Sequence, residues 1–205
     1  MATTAAPYGL KPVKRADGMP YAGAMSQYLI DPAGEATNLF YGQVVRIGAD
    51  GYIALATGTG ADLTTNSVSG TTGVGAIGVF VGCEYVNAQG QLLHAQHYPS
   101  GYAAPTGTSI KAYVIDDPNV LFQAQLDGAG AQTIIGANTF FAAAQSTSTG
   151  STATGNSTSA LDATVQTAAA AFRVVAHVSP ASDAFPDVLV KFNPSAHQMT
   201  NNVGL

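Results

Sequence analysis

The chain has 205 residues, 46% of them hydrophobic, enough to bury a sizeable core. Asp, Glu, Lys and Arg together make up only 9% of it, against roughly 25% in ordinary soluble domains. A net charge of −5 with seven scattered cations provides no basic stripe to displace counterions from phosphates, which excludes nucleic acid as the expected partner.

Residues 1–25 read as an extended N-terminal arm. Pro7, Gly9, Pro12, Gly18, Pro20 and Gly23 forbid a helix and break any long strand. Tyr8, Leu10, Val13, Met19 and Tyr21 are spaced among them, beside the cations Lys11, Lys14 and Arg15. No apolar secretory core occurs in the first thirty residues. Nor does any run approach the ~18 apolar residues that cross a bilayer. Synthesis in a cytoplasm, with no membrane partner, is therefore expected.

Residues 26–205 read as a single β-rich domain. Phe40–Ile47 is aromatic and β-branched, Asp50-Gly51 is a tight-turn signal, and Tyr52–Leu55 returns. Thr57–Gly75 is a Gly/Thr/Ser loop, and Ile77–Val86 is a long strand whose glycines point to close packing or bulges. Asn87–Gly90 turns the chain into Gln91–Tyr98. Ile110–Ile115 and Val120–Leu126, joined by Asp116-Asp117-Pro118-Asn119, read as a hairpin. In the second of these, Phe122, Ala124 and Leu126 alternate with Gln123 and Gln125, one face in and one face out. Asp127–Thr167 reads as loop with one short helical turn around Phe140–Ala144. Strands at Ala171–Val178 and Val188–Phe192 close the chain. Strand-and-turn units at short spacing predict an all-β fold, a compact antiparallel barrel or sandwich with long Ser/Thr/Gly-rich loops.

The sequence offers no coherent catalytic, cofactor or metal set. Gly73-Val74-Gly75-Ala76-Ile77-Gly78 spells the dinucleotide fingerprint, but a loop precedes it and a strand follows, where pyrophosphate binding needs a strand and then a helix. His94 and His97 would share a face on a helix, whereas in a strand an odd spacing separates them. Asp116 and Asp117 fit an Asx turn, and no GxSxG elbow is present. Asn156-Ser157-Thr158 spells a glycosylation sequon that reads as a turn. Cys83, the single cysteine, follows the apolar run Val79–Val81 and reads as a small buried hydrophobe.

Between Gly51 and Ile110 the only charged residues are Asp62 and Glu84. A surface this poor in charge does little to keep copies apart, and small neutral side chains lose little entropy when covered. Two readings follow from this: a protein packed into an ordered array, or a low-charge extracellular β-domain such as an adhesin or lectin.

Several segments resemble a family of tailed-bacteriophage virion structural proteins, in particular capsid head-decoration (cement) proteins. They are Tyr8-Gly9-Leu10-Lys11-Pro12-Val13, Pro20-Tyr21-Ala22-Gly23, the stretch from Ala36 to Val45, the stretch from Thr154 to Asp162, Phe172-Arg173-Val174-Val175, and Val188 to Asn193. The resemblance implies a β-barrel or β-tulip body with an N-terminal arm, bound to the major capsid protein on the capsid exterior, as a homotrimer. It brings no catalytic residues. On this expectation Tyr8, Leu10 and Tyr21 anchor the arm on the coat, while Lys11, Lys14 and Arg15 pair with coat carboxylates. The alternatives are another phage component (head fibre, tail or coat protein) or a glycan-binding module.

Overall fold

The computed structural model describes residues 4–58 and 75–200. It is all-β: two antiparallel sheets packed together as a sandwich, neither closed into a barrel. In chain order the strands are β1 (Lys11–Arg15), β2 (Ser26–Ile30), β3 (Val44–Ile47), β4 (Ile53–Leu55), β5 (Gly78–Val86), β6 (Leu92–Ala95), β7 (Ile110–Ile115), β8 (Val120–Gln125), β9 (Asn138–Thr139), β10 (Phe172–His177) and β11 (Asp187–Phe192). The five-stranded sheet runs β1-β8-β11-β10-β9. The six-stranded sheet runs β2-β7-β5-β3-β4, with β6 also paired to β5.

The alternation expected in the sequence sets these sheets. Phe172 and Val174 on β10, Val188, Val190 and Phe192 on β11, and Phe122 and Ala124 on β8 all point into one core. There Phe122, Phe192, Phe172 and Phe141 form a chain of edge-on and tilted rings with centroids 5.1–5.8 Å apart. The six-stranded sheet has two apolar faces. One, carrying Val44, Val79 and Ile115, packs on that core, while the other curls around a second core of Ile30, Val45, Ile53, Phe80, Tyr98, Ile110 and Val114.

The Asp116–Asn119 turn does not make a hairpin. β7 pairs with β2 and β5, whereas β8 pairs with β1 and β11, so the turn carries the chain from one sheet to the other. Side chains hold the crossing from both sides. The Tyr28 hydroxyl on β2 donates to Asp116 Oδ2 at 2.7 Å, and Arg15 Nη1 on β1 meets Asp117 Oδ2 at 2.8 Å. The expected helical turn at Phe140–Ala144 is also absent. Phe141 enters the core, its backbone bridges Leu161, and the nearest helical turn is a 3-10 turn at Gln132–Ile134.

The long Asp127–Thr167 connection is fixed by buried amides. Gln145 Oε1 accepts from the Val44 backbone N–H at 3.0 Å while its Nε2 donates to the Ala56 carbonyl at 2.8 Å. Gln43 holds the same connection through Thr149 Oγ1 at 2.9 Å. Of the expected Thr57–Gly75 loop, residues 59–74 lie outside the described residues.

Candidate functional site

Residues 4–25, expected as an extended arm, lie along the body. Gln125 Oε1 accepts from the Ala6 N–H at 2.7 Å, Leu10 is fully buried in the first core, and β1 forms the edge of the five-stranded sheet. Pro12 is tolerated in β1 because an edge strand needs no second row of donors. Beyond β1 the chain folds back, with the Arg15 N–H donating to the Met19 carbonyl at 2.8 Å and the Tyr21 N–H to the Val13 carbonyl at 3.4 Å.

Two glycines make the junction at the root of this segment. Gly9 and Gly42 both have positive φ (75° and 86°), and a Cβ on Gly9 would stand 2.5 Å from the Gly42 carbonyl oxygen. A Cβ on Gly42 would stand 2.9 Å from the Tyr8 carbonyl oxygen. Only glycine permits both the dihedral and the approach. A third segment completes the junction: the Gly9 N–H donates to the Ser159 carbonyl at 3.1 Å, the Tyr41 N–H to the Gly155 carbonyl at 2.9 Å, and the Ser157 N–H to the Tyr41 carbonyl at 2.9 Å. Three segments far apart in sequence therefore meet at one place, and Tyr8, Tyr41 and Asn156 emerge beside one another.

These side chains, with Lys11 of β1 and Gln123 of β8, line a surface hollow. The Tyr8 hydroxyl donates to Asp187 Oδ1 at 3.0 Å and Gln123 Nε2 donates to Asp187 Oδ2 at 3.1 Å, so both carboxylate oxygens are engaged. Burial, then the Asp187 charge, raises the Tyr8 phenol far above its usual range, and the ring stays neutral. Burial also raises the Tyr41 phenol. Across Tyr41 a second depression opens at Gly82, where the pairing of β5 with β7 slips, lined by Tyr113, His94, Gln96 and Met25. Gln96 Nε2 donates to Asn156 Oδ1 between the two depressions.

Comparison with known proteins finds no matching family model, no matching curated protein and no matching solved structure. The site therefore rests on its own geometry.

The six residues expected to bind a coat separate into three groups. Leu10 belongs to the chain's own core and presents nothing to a partner. Tyr8 and Lys11 line the hollow. Lys14 and Arg15 end β1 and Tyr21 lies on the segment folded back against it; the Arg15 guanidinium already pairs with Asp17 and Asp117, and the Tyr21 hydroxyl donates to the Ala24 carbonyl at 2.6 Å. Apolar neighbours are exposed beside them: Val13 at 40%, Met25 at 51% and Met19 at 61%. Tyr41, Gln123 and Asn156 were not expected at a site. Tyr41 and Asn156 do fall in two of the segments that carry the family resemblance.

The other candidates have local roles. His94 is exposed with Nδ1 3.7 Å from Glu84 Oε2, whereas His97 stacks on Phe40. Glu84 also accepts from the Lys111 ammonium at 3.1 Å and the Tyr113 hydroxyl at 2.8 Å, and these bonds hold its carboxyl below the usual range. Asp117 caps its own turn through the Asn119 N–H at 2.8 Å. Cys83 is buried, and burial pushes its thiol up to about 12, so it is a small core hydrophobe. The part of the glycine fingerprint that is described, Gly75 to Gly78, runs into strand β5 with no helix after it.

Proposed function

We propose that the chain is a structural virion protein of a tailed bacteriophage that binds the outer surface of the capsid and stabilises the coat lattice, acting through contact rather than turnover. The observation that carries this reading is the folded-back stretch from Val13 to Met25. It holds three exposed apolar side chains on a backbone anchored by β1 and Leu10. Large exposed apolar side chains of this kind are interface anchors when they cluster. The charge-poor remainder of the surface supports packing among copies, as a homotrimer on the major capsid protein. An interface of ~1,600 Å² would be of ordinary size.

In this scheme Val13, Met19 and Met25 enter apolar depressions on the coat, and Lys14 meets a coat carboxylate. Tyr21 stiffens the stretch from beneath, since its ring packs against the core. A rim cation sets orientation and on-rate more than affinity.

The test is co-sedimentation with undecorated heads. Wild-type protein should pellet with heads, and Met19→Asp should lose at least tenfold in affinity, the effect of losing one anchor of about 1.4 kcal/mol. Unchanged binding by Met19→Asp combined with Val13→Asp would remove this stretch from the mechanism, and a wild-type chain without affinity for heads would remove the reading itself.

A further inference from the structure

We infer that the hollow between Tyr8, Tyr41 and Asn156, continued past Gln96 to Tyr113, is a binding site for an uncharged oligosaccharide. The inference goes beyond lattice binding and does not rest on it: the hollow borders the Val13–Met25 stretch at Met25 and where Tyr21 comes within electrostatic reach of Tyr41, but Val13 and Met19 do not line it.

Hydrogen-bonding capacity left over in the walls argues for this ligand class. Among the described residues, the Tyr41 hydroxyl, Asn156 Nδ2, Gln96 Oε1 and Gln123 Oε1 have no partner, although the other polar ends of these three amides are engaged with protein. Donors and acceptors of neutral character are therefore interleaved along one path. A sugar hydroxyl is both donor and acceptor, and a chain of sugars presents such groups at every unit. Aromatic side chains stand along the same path: Tyr8 and Tyr41 at one end, Tyr41 and Tyr113 at the other. A phenol ring offers an apolar face to the C–H side of a pyranose and a polar tip to its hydroxyls. Apolar walls with a few placed polar groups are the usual composition of a small-ligand site.

Other ligands fit less well. Among the described residues, Lys11 is the only cation lining the first lobe, too little for a phosphate polymer. Asp187 accepts from Tyr8 and Gln123 and is not among the residues lining the hollow, so these walls present no carboxylate to a cationic ligand. A peptide recognised by strand addition needs a free strand edge. Here β8 is paired on both sides, by β1 and β11, the outer edge of β1 is partly taken up by the Met19–Tyr21 segment folded back on it, and Tyr41 and Asn156 leave from turns bonded to each other.

The site is also preformed. Gly9 and Gly42 lock Tyr8 against Tyr41, and Gly155, at φ 73°, lets Gln96 lie 3.2 Å from where its Cβ would be. A ligand entering it orders few side chains, which favours binding of small neutral groups.

The experiment presents the purified chain to maltotetraose, cellotetraose, laminaritetraose, mannotetraose and chitotetraose, with sialylated glycans and an unstructured Gly/Ser/Thr peptide as comparators, followed by saturation-transfer NMR. At least one neutral tetrasaccharide should give a transfer signal. Its affinity should fall at least tenfold in Tyr41→Ala and several-fold in Asn156→Ala and Lys11→Ala, while Met19→Asp leaves it unchanged. Tyr41→Phe keeps the ring and so the fold, and should cost a smaller factor by losing only the hydroxyl. No signal from any neutral sugar, signal only from the acidic glycans or the peptide, or binding indifferent to Tyr41→Phe, Asn156→Ala and Lys11→Ala would each overturn the inference.

Discussion

Replacing Leu10 with alanine separates an arm that merely hangs from the body from a segment that is part of the fold. Leu10 is fully buried in the first core with Val44, Phe122 and Leu161, and its N–H donates to the Gly42 carbonyl at 2.9 Å. Fully buried Leu→Ala substitutions cost roughly 2.7–5 kcal/mol, partly from lost transfer energy and partly from the cavity left behind. β1 lies at a sheet edge, where the chain can relax into the gap, so the low end is expected, about 3 kcal/mol. For a chain of this size each kcal/mol moves the midpoint by about 2–4 °C, which gives a fall of roughly 6–12 °C. Differential scanning calorimetry of the two proteins measures it, with urea titration checking that the denaturant slope is unchanged. A change of less than about 2 °C would refute the placement of Leu10 in the core, because a detachable segment contributes nothing to cooperative unfolding.

Three further outcomes follow from the packing. Gly9→Ala should destabilise by at least about 2 kcal/mol, because a left-handed dihedral and a backbone collision act together; Gly90→Ala, with a similar φ of 79° but open space around it, should cost only about 1 kcal/mol. Urea midpoints of both variants separate the dihedral cost from the packing cost. Gln145→Ala removes the acceptor of the Val44 N–H and the donor to Ala56, and should cost about 2–4 kcal/mol by leaving buried backbone groups unpaired. His197 is buried, and burial lowers its pKa, opposed in part by Asp116 and Asp117. The unfolded chain then takes up the proton first, so stability should fall as pH drops below the unfolded value of about 6.5. In His197→Gln the urea midpoint should change less between pH 7.5 and 5.5 than in wild type; equal slopes would rule the histidine out.

The strands were legible because their information is local. β3, β5, β7, β8 and β10 fall inside the expected strands, and β11 begins one residue earlier than expected, at Asp187. In β8 Phe122 and Ala124 enter the core as the alternation requires, but the opposite face is not open: Gln125 is buried and Gln123 half-buried, and Gln125 bonds to Thr4 and Ala6 of the N-terminal segment. Sheet membership is not local. Asp116-Asp117-Pro118-Asn119 has every feature of a tight turn, yet whether such a turn closes a hairpin or crosses between sheets depends on partners: Tyr28, Arg15 and the strands β1 and β11. In the N-terminal segment, six prolines and glycines read as breakers. They do break it, into short pieces, but a five-residue edge strand and one buried leucine are enough to bind it to the body.

The hollow was half legible. The sequence singles out Tyr8 and Lys11 by their place in a sticky segment, whereas it places Tyr41 in a strand and Asn156 in a turn. What joins them is the contact of Gly9 with Gly42, and nothing in either local sequence states that the two glycines touch. The segments that carry the phage-protein resemblance, around Tyr8, Tyr41 and Asn156, are the ones that meet there.

Anchoring the N-terminal segment to the body also changes how a lattice contact would work. Ordering a flexible residue costs about 1–2 kcal/mol, so a free arm would give up much of its contact energy to becoming ordered. The Val13–Met25 stretch is already held by β1, by the Lys14–Pro20 bridge and by the Arg15–Asp117 ion pair. Its exposed methionines lose only side-chain freedom on binding, so a small patch can hold where a longer flexible one would not. If the stretch does bind a shell, loosening it without touching an anchor should weaken binding almost as much as removing one. Arg15→Ala, which takes away the ion pair but leaves Val13, Met19 and Met25 in place, tests this through a faster off-rate from heads with a loss of core stability of no more than about 1 kcal/mol. An unaltered off-rate would show that the anchors act without preorganisation.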